Sequence, residues 1–145
     1  MNILLENLDL IDDKILCFLT EKLCECGIAN TKTKMVTLNI INGTEAEPNE
    51  FPWQVALVRS SLQTLICGGT IISKKHILTA AHCTSDPELI GDLEAVVGEH
   101  DLLASNDKAK RLKISVIITH PNYNPKTVVY DFSLLVLAKT LSFSK

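Results

Sequence analysis

The sequence lacks a strong charge of either sign. Its 145 residues carry 14 lysines and arginines against 17 aspartates and glutamates, a formal net charge of −3, with the two signs interspersed. Nucleic acids and anionic membrane surfaces attract clustered positive charge, so we expect neither as a partner. The chain also has no apolar run long enough for a transmembrane helix.

The first residues also lack the pattern of a secretory leader. Met1-Asn2-Ile3-Leu4-Leu5 begins as an apolar run, but no basic segment precedes it and charged residues interrupt it from Glu6 onward. The apolar positions before residue 20 are compatible with a short amphipathic helix or with the tail of an upstream module. We therefore expect the natural N-terminus of the protein to lie upstream of Met1.

The cysteines favour an oxidising compartment. There are five, Cys17, Cys24, Cys26, Cys67 and Cys83. Zinc is the competing explanation, but the Cys24-x-Cys26 spacing is not that of a usual zinc knuckle, and no nearby histidine or cysteine completes four ligands. Disulfides and a secreted protein fit better. The odd count predicts that one cysteine pairs outside this sequence.

Short apolar runs separated by glycine, proline and polar residues dominate the chain after Trp53. They span residues 53–59, 65–67, 70–72, 77–79, 93–97, 112–118 and 132–137. Closely spaced short strands of this kind are typical of an all-β sandwich or barrel. An apolar fraction of 46% is enough for one packed core.

Four segments, in chain order, resemble those of the trypsin-like (chymotrypsin-fold) serine proteases. The segments are Ile40-Ile41-Asn42-Gly43, Phe51-Pro52-Trp53-Gln54-Val55, Cys67-Gly68-Gly69-Thr70 with Thr79-Ala80-Ala81-His82-Cys83, and Asp131-Phe132-Ser133-Leu134-Leu135. The resemblance implies a six-stranded antiparallel Greek-key barrel over residues 40–145, the first of the family's two. Residues 1–39 would be an irregular or partly helical pre-catalytic extension, with Ile40 as the mature N-terminus.

The same resemblance assigns chemistry to two residues. His82 would be the general base and Asp131 would orient it, whereas without the flanking motifs the two read as a half-buried histidine and an exposed turn aspartate. A disulfide between Cys67 and Cys83 would hold the backbone of His82. Closing a loop of about 17 residues would also add roughly 3 kcal/mol of stability.

Two departures from the family pattern limit these expectations. Asn39 precedes Ile40 where the family has a basic residue, and the nearest upstream basic residue is Lys34. None of the serines lies in the family's Gly-Asp-Ser-Gly-Gly nucleophile segment. We expect the N-terminal half of a secreted endopeptidase that acts on proteins or peptides and is a target for protease inhibitors. This chain alone should be inactive, and the alternative is a non-catalytic protease homologue with a binding or regulatory role.

The remaining motifs are weaker. Asn42-Gly43-Thr44 is both an N-glycosylation sequon and a strong turn signal. Glu99-His100-Asp101, with Asn106 and Asp107, resembles the calcium loop of some family members, but calcium needs six or more oxygen ligands. We favour a solvated acidic loop and expect no metal and no cofactor. The other histidines, His76, His100 and His120, are expected to be surface or turn residues.

Overall fold

The computed structural model describes Gly27 and residues 29–30, 45–89, 91–102 and 109–143. Several predictions fall outside these ranges. They concern the mature N-terminus at Ile40, the sequon at Asn42, the loop residues Asn106 and Asp107, and the cysteines Cys17, Cys24 and Cys26. They stay predictions, as does the division of the chain at residue 39.

Six strands close into one antiparallel barrel. They are β1 (Gln54–Arg59), β2 (Thr64–Ile71), β3 (His76–Thr79), β4 (Leu93–Val97), β5 (Lys110–Thr119) and β6 (Ser133–Leu137). Around the barrel their order is β1-β2-β3-β6-β5-β4. Strands β1 to β3 are sequential neighbours and β4 returns beside β1, which is a Greek key. The predicted barrel is confirmed, whereas the irregular or partly helical extension expected over residues 1–39 lies almost wholly outside the described residues.

Alternation along the strands fills the barrel interior. In β6, Ser133, Leu135 and Leu137 are fully buried while the residues between them are only partly covered. Val55 and Leu57 on β1 follow the same period of two, as expected when successive side chains point to opposite faces of a sheet. Each fully buried aliphatic side chain contributes about 1.5–3 kcal/mol to folding.

Strand β2 differs from the sequence expectation. Two separate runs were expected, at 65–67 and 70–72, but one strand continues through the glycines between them. Gly68 and Gly69 pair with Ala56 and Val55 of β1, so tertiary pairing overrides the low strand propensity of glycine. A Cβ on Gly69 would lie 2.9 Å from Cγ2 of Ile77, so this glycine lets β2 and β3 approach closely.

A polar cluster ties the β1–β2 turn to the start of β4. Asp92 accepts hydrogen bonds from the Ser61 hydroxyl (2.5 Å), the Ser61 backbone N–H (2.7 Å) and Nε of Arg59 (3.1 Å). The hydroxyl and backbone bonds from Ser61 are the main reasons that the pKa of the Asp92 carboxyl lies below its usual range. Asp92 is therefore ionised in the folded chain at neutral pH.

No helix in the described part of the chain is both long and apolar enough to cross a bilayer.

Candidate active site

His82 lies directly after β3, in a short 3₁₀ turn. The turn spans Ala81–Cys83, and both of those residues are buried. Cys83 forms the predicted disulfide with Cys67 of β2, with the two Cα atoms 6.1 Å apart. Because the neighbours of His82 on both sides are fixed, its backbone is held against the barrel while 58% of its side chain remains exposed.

Asp131 is presented by the loop between β5 and β6. At the loop's start, the His120 ring stacks on Tyr130 with 4.7 Å between centroids and lies 4.6 Å from the Phe132 ring. The His120 backbone N–H also donates to the Phe132 carbonyl. Asp131 is therefore flanked by two aromatic residues that are both anchored on His120.

The backbone before Asp131 adopts an unusual conformation. Val128 and Tyr130 have φ angles of 56° and 58°, in the left-handed region that β-branched and bulky residues rarely adopt. Each such residue costs on the order of 1–3 kcal/mol. The surrounding contacts hold the conformation: the Val128 backbone N–H donates to the Asn124 carbonyl at 2.8 Å, and Asn124 and Val129 form a β-bridge.

The Asp131 carboxylate binds His82 at two points. Its Oδ1 accepts the His82 backbone N–H at 2.8 Å, and its Oδ2 lies 2.7 Å from Nδ1 of the ring. The backbone bond to His82 and then the ring bond are the largest causes that hold the pKa of Asp131 below its usual range. An ionised Asp131 is an acceptor only, so the proton between the pair belongs on Nδ1.

The opposite ring nitrogen, Nε2, is then left as an acceptor. It lies 3.4 Å from Sγ of Cys83, and among the described residues no serine hydroxyl is hydrogen-bonded to it. A neutral imidazole held in this tautomer by a carboxylate can take a proton at Nε2, and the resulting imidazolium is stabilised by Asp131. Chemically, the arrangement is suited to a general base that is oriented by a carboxylate.

A chain of hydroxyls next to the pair was not predicted from the sequence. Thr84 donates to Ser133 at 2.9 Å, and Ser133 donates to Thr119 at 3.1 Å. This chain joins the residue after the 3₁₀ turn to β6 and β5. The only sequence signal was a polar residue, Ser133, at an inward position of an otherwise apolar strand.

An open groove of about 460 Å³ runs beside Asp131. Its lining residues come from β1, β2, β3, the residue after β3 and the end of the β5–β6 loop: Gln54, Gly68, Gly69, Thr70, Leu78, Thr79, Ala80, Asp131 and Phe132. Leu78 and Phe132 are 42% and 46% exposed there. The groove therefore places exposed apolar side chains next to the Asp131 carboxylate.

His76 and His100 lie apart from the pair, whereas His120 packs on the two aromatic neighbours of Asp131. His76 begins β3, and its Nδ1 is 2.8 Å from the Ser73 hydroxyl. Burial, and then the nearby Lys75 charge, lower the pKa of His76. In the candidate calcium loop, His100 lies 3.3 Å from Glu45.

Comparison with known proteins decides the family. A protein-family model described as trypsin matches residues 40–145. The chain belongs to the trypsin family. Over 107 residues it is 39% identical to ovochymase-2 of Mus musculus, and over 108 residues it is 40% identical to a venom serine protease of Polistes dominula. It is also 34% identical over 136 residues to transmembrane protease serine 9 of Rattus norvegicus.

This trypsin-family chain spans only part of those relatives. The alignments cover 73%, 72% and 92% of the chain, but 17%, 36% and 12% of the three relatives respectively. The family supports a proteolytic hydrolase. The six-stranded barrel corresponds to the first barrel of the trypsin fold.

Proposed function

We propose that this chain supplies the general-base half of the catalytic site of a serine endopeptidase. His82 is the base and Asp131 is the residue that orients it. The observation that carries the proposal is the double contact of one carboxylate with the backbone and the ring of the same histidine, at 2.8 Å and 2.7 Å. An accidental surface ion pair needs only one contact, whereas a positioned base needs both its main chain and its ring fixed.

The proposed chemistry is acyl transfer to a serine. The serine hydroxyl would attack the peptide carbonyl while Nε2 of His82 takes its proton, and His82 would later return that proton to the leaving amine. Asp131 would stabilise the imidazolium between the two steps. No Gly-Asp-Ser-Gly-Gly segment occurs in the 145 residues, so the nucleophile and the oxyanion-hole amides are proposed to come from residues beyond this sequence.

The partners and location follow from the same proposal. The substrates would be proteins or peptides, and protease inhibitors could occupy the same site. A secreted protein is proposed on the Cys67–Cys83 disulfide, which persists in oxidising compartments. One relative is named a venom protease and another a transmembrane protease, so the family spans both settings. Ile40 is proposed as the mature N-terminus and Asn42 as a glycosylation site.

The deciding experiment reads the transcript beyond Lys145. An in-frame Gly-Asp-Ser-Gly-Gly segment is expected, and a transcript without one contradicts the proposal. In the complete enzyme, Asp131→Asn should lower kcat by about 10⁴-fold, because Nδ1 loses its carboxylate and the wrong tautomer forms. Asp92→Asn is the matched control, since Asp92 is also an ionised, hydrogen-bonded carboxylate but contacts Ser61 and Arg59 instead. Equal losses in the two variants would refute the role of Asp131.

The 145-residue chain alone should show no endopeptidase activity. Without a nucleophile, His82 has no hydroxyl to deprotonate, and no oxyanion donors stabilise a tetrahedral intermediate. Peptide turnover by the oxidised chain is to be compared with that of His82→Ala, together with labelling by a fluorophosphonate probe. Turnover above the His82→Ala background, or labelling of one defined serine, contradicts this prediction.

A non-catalytic protease homologue is the second candidate function. Asn39 favours it, because activating proteases of trypsin-like specificity cut after a basic residue and would not cut before Ile40. The transcript distinguishes the two functions: glycine in place of the nucleophilic serine would favour this second one.

A further inference from the structure

The disulfide and the histidine of the candidate active site form a cluster of metal-ligating atoms. Sγ of Cys67, Sγ of Cys83 and a ring nitrogen of His82 all lie within 4.8 Å of one another. In the described part of the chain no other three histidine, cysteine or acidic side chains come together in this way. In the oxidised protein the two sulfurs are bonded to each other and cannot act as thiolates.

We propose that reduction of the Cys67–Cys83 disulfide turns this cluster into a zinc site of two thiolates and one imidazole. Two cysteines, one histidine and an exchangeable water form an established tetrahedral donor set for Zn²⁺. The disulfide therefore keeps His82 free, and its reduction makes His82 a metal ligand.

Distances in the oxidised protein already suit the imidazole and one sulfur. For Zn–S of about 2.3 Å and Zn–N of about 2.0 Å, tetrahedral ligands stand roughly 3.5 Å apart. Nε2 of His82 lies 3.4 Å from Sγ of Cys83. The two sulfurs need to separate to about 3.8 Å, and the 6.1 Å between their Cα atoms leaves room for this by side-chain rotation.

Asp131 completes the site from the outer side of the ring. Metal-binding histidines usually donate their second ring N–H to a carboxylate, which fixes the tautomer and raises the basicity of the ligand nitrogen. Asp131 Oδ2 already holds Nδ1 at 2.7 Å, so Nε2 is presented as the free donor. The His82 side chain is 58% exposed, which gives the ion and its water an approach from solvent.

The zinc site forms in two steps, reduction of the disulfide and then binding of the metal ion. A phosphine transfers two electrons to the disulfide and takes an oxygen atom from water, so the S–S bond breaks and two thiols form. A thiol reductant would do the same by exchange and would itself become a disulfide. Zn²⁺ then displaces the two thiol protons into solvent and accepts the Nε2 lone pair of neutral His82.

The consequence for proteolysis depends on the proposed function, but the metal site itself does not. Nε2 is the atom that would accept the serine proton, and a zinc ion on it leaves no lone pair for that purpose. Reduction in the presence of zinc would therefore switch off a trypsin-family site through its own histidine.

The test uses the full 145-residue chain with Cys17, Cys24 and Cys26 each changed to serine, so that Cys67 and Cys83 are its only thiols. A phosphine reductant is used because dithiols themselves bind zinc. Co²⁺ serves as a spectroscopic probe through its thiolate charge-transfer absorption, and Zn²⁺ is then titrated in competition. The reduced chain should bind one metal ion, and the oxidised chain should show no thiolate–cobalt band.

Three further variants in that background test the ligand set. Asp131→Asn should weaken Zn²⁺ binding about 10- to 100-fold as a positioning change, and His82→Ala should weaken it at least as much. His100→Ala is the control and should bind like the parent. If reduction unfolded the chain, the two thiols would bind zinc regardless of His82 and Asp131. Equal affinity of the parent, His82→Ala and Asp131→Asn, or no binding by the reduced chain, would overturn the proposal.

The readout is metal binding, so its failure leaves the proteolytic proposal untouched. Conversely, a transcript without a downstream serine segment would remove the proteolytic proposal and leave this site standing.

Discussion

Two adjacent glycines of β2 provide a matched test of the packing between strands. In Gly69→Ala the new methyl group would lie 2.9 Å from Cγ2 of Ile77 and 3.2 Å from the Leu78 carbonyl oxygen. Ile77 is fully buried in the barrel core and cannot move away freely. In Gly68→Ala the nearest atoms are Nε2 of Gln54 at 3.4 Å and the Val55 carbonyl oxygen at 3.8 Å, which are ordinary contacts with one flexible partner.

The two substitutions should therefore change the free energy of unfolding by clearly different amounts, and in opposite directions if Gly68→Ala is stabilising. Overpacking a well-filled core costs about 1–3 kcal/mol, and we expect Gly69→Ala to lower the free energy of unfolding by that amount. Gly68→Ala should be neutral or gain up to about 1 kcal/mol, because alanine reduces the freedom of the unfolded chain without a clash. The described glycines with positive φ are Gly27, Gly91 and Gly98. Gly68 and Gly69 are not among them, so backbone strain does not enter the comparison.

Urea unfolding of the oxidised chain, followed by circular dichroism at one protein concentration, measures the difference directly. Both variants should keep the urea dependence of the parent, so that the shift of the midpoint reports stability alone. A loss in Gly68→Ala equal to that in Gly69→Ala would refute the reasoning. It would mean that any side chain disrupts β2, and that the contact with Ile77 is not the cause.

Two other predictions concern acid and association. The folded-state pKa values of Asp92 and Asp131 are lowered from 3.8, so both carboxylates favour folding above that pH, and their contribution is lost as the pH falls through the lowered values. Urea midpoints measured from neutral to strongly acidic pH should therefore fall in acid, and they should fall less steeply in Asp92→Asn than in the parent. An Asp92→Asn midpoint that depends on pH as steeply as the parent's contradicts this. The groove that contains Leu78 and Phe132 should drive self-association of the isolated chain, because exposed apolar patches associate in water. In sedimentation velocity Phe132→Ser should reduce association, whereas Leu62→Ser, at a 62% exposed residue outside the groove, should not; equal effects would contradict this prediction.

Much of the barrel could be predicted from local patterns. The run at 93–97 became β4 with the same bounds, and four of its five residues are buried, since a short apolar run between turns is consistent with a buried strand. Strand β5 extends beyond its apolar run to Lys110–Thr119, because Lys110 and Arg111 pair with Val97 and Val96 of β4. Pairing partners far along the chain decide such boundaries, and one segment does not reveal them.

The candidate site divides in the same way. Motif position was enough to predict that His82 and Asp131 lie together, although they are 49 residues apart. The hydroxyl chain through Thr84, Ser133 and Thr119 was not predictable, because serine and threonine within a strand usually signify a solvent-facing position. The proximity of Nε2 to Sγ of Cys83 was not predictable either, since it depends on the rotamer of His82.

The His82–Asp131 pair lies where β3 and β6 meet, and this position has a consequence for the order of folding. His82 follows β3 and Asp131 precedes β6, and these two strands are direct neighbours with Thr79 paired to Ser133. Strand β6, the last of the described strands in the chain, fills the gap between β3 and β5. During synthesis, β1 to β5 can emerge and pair as an open sheet, but the histidine meets its carboxylate only when β6 closes the ring. The pair is thus a marker of completed closure, and a probe of the His82–Asp131 bond would time the final step of barrel assembly.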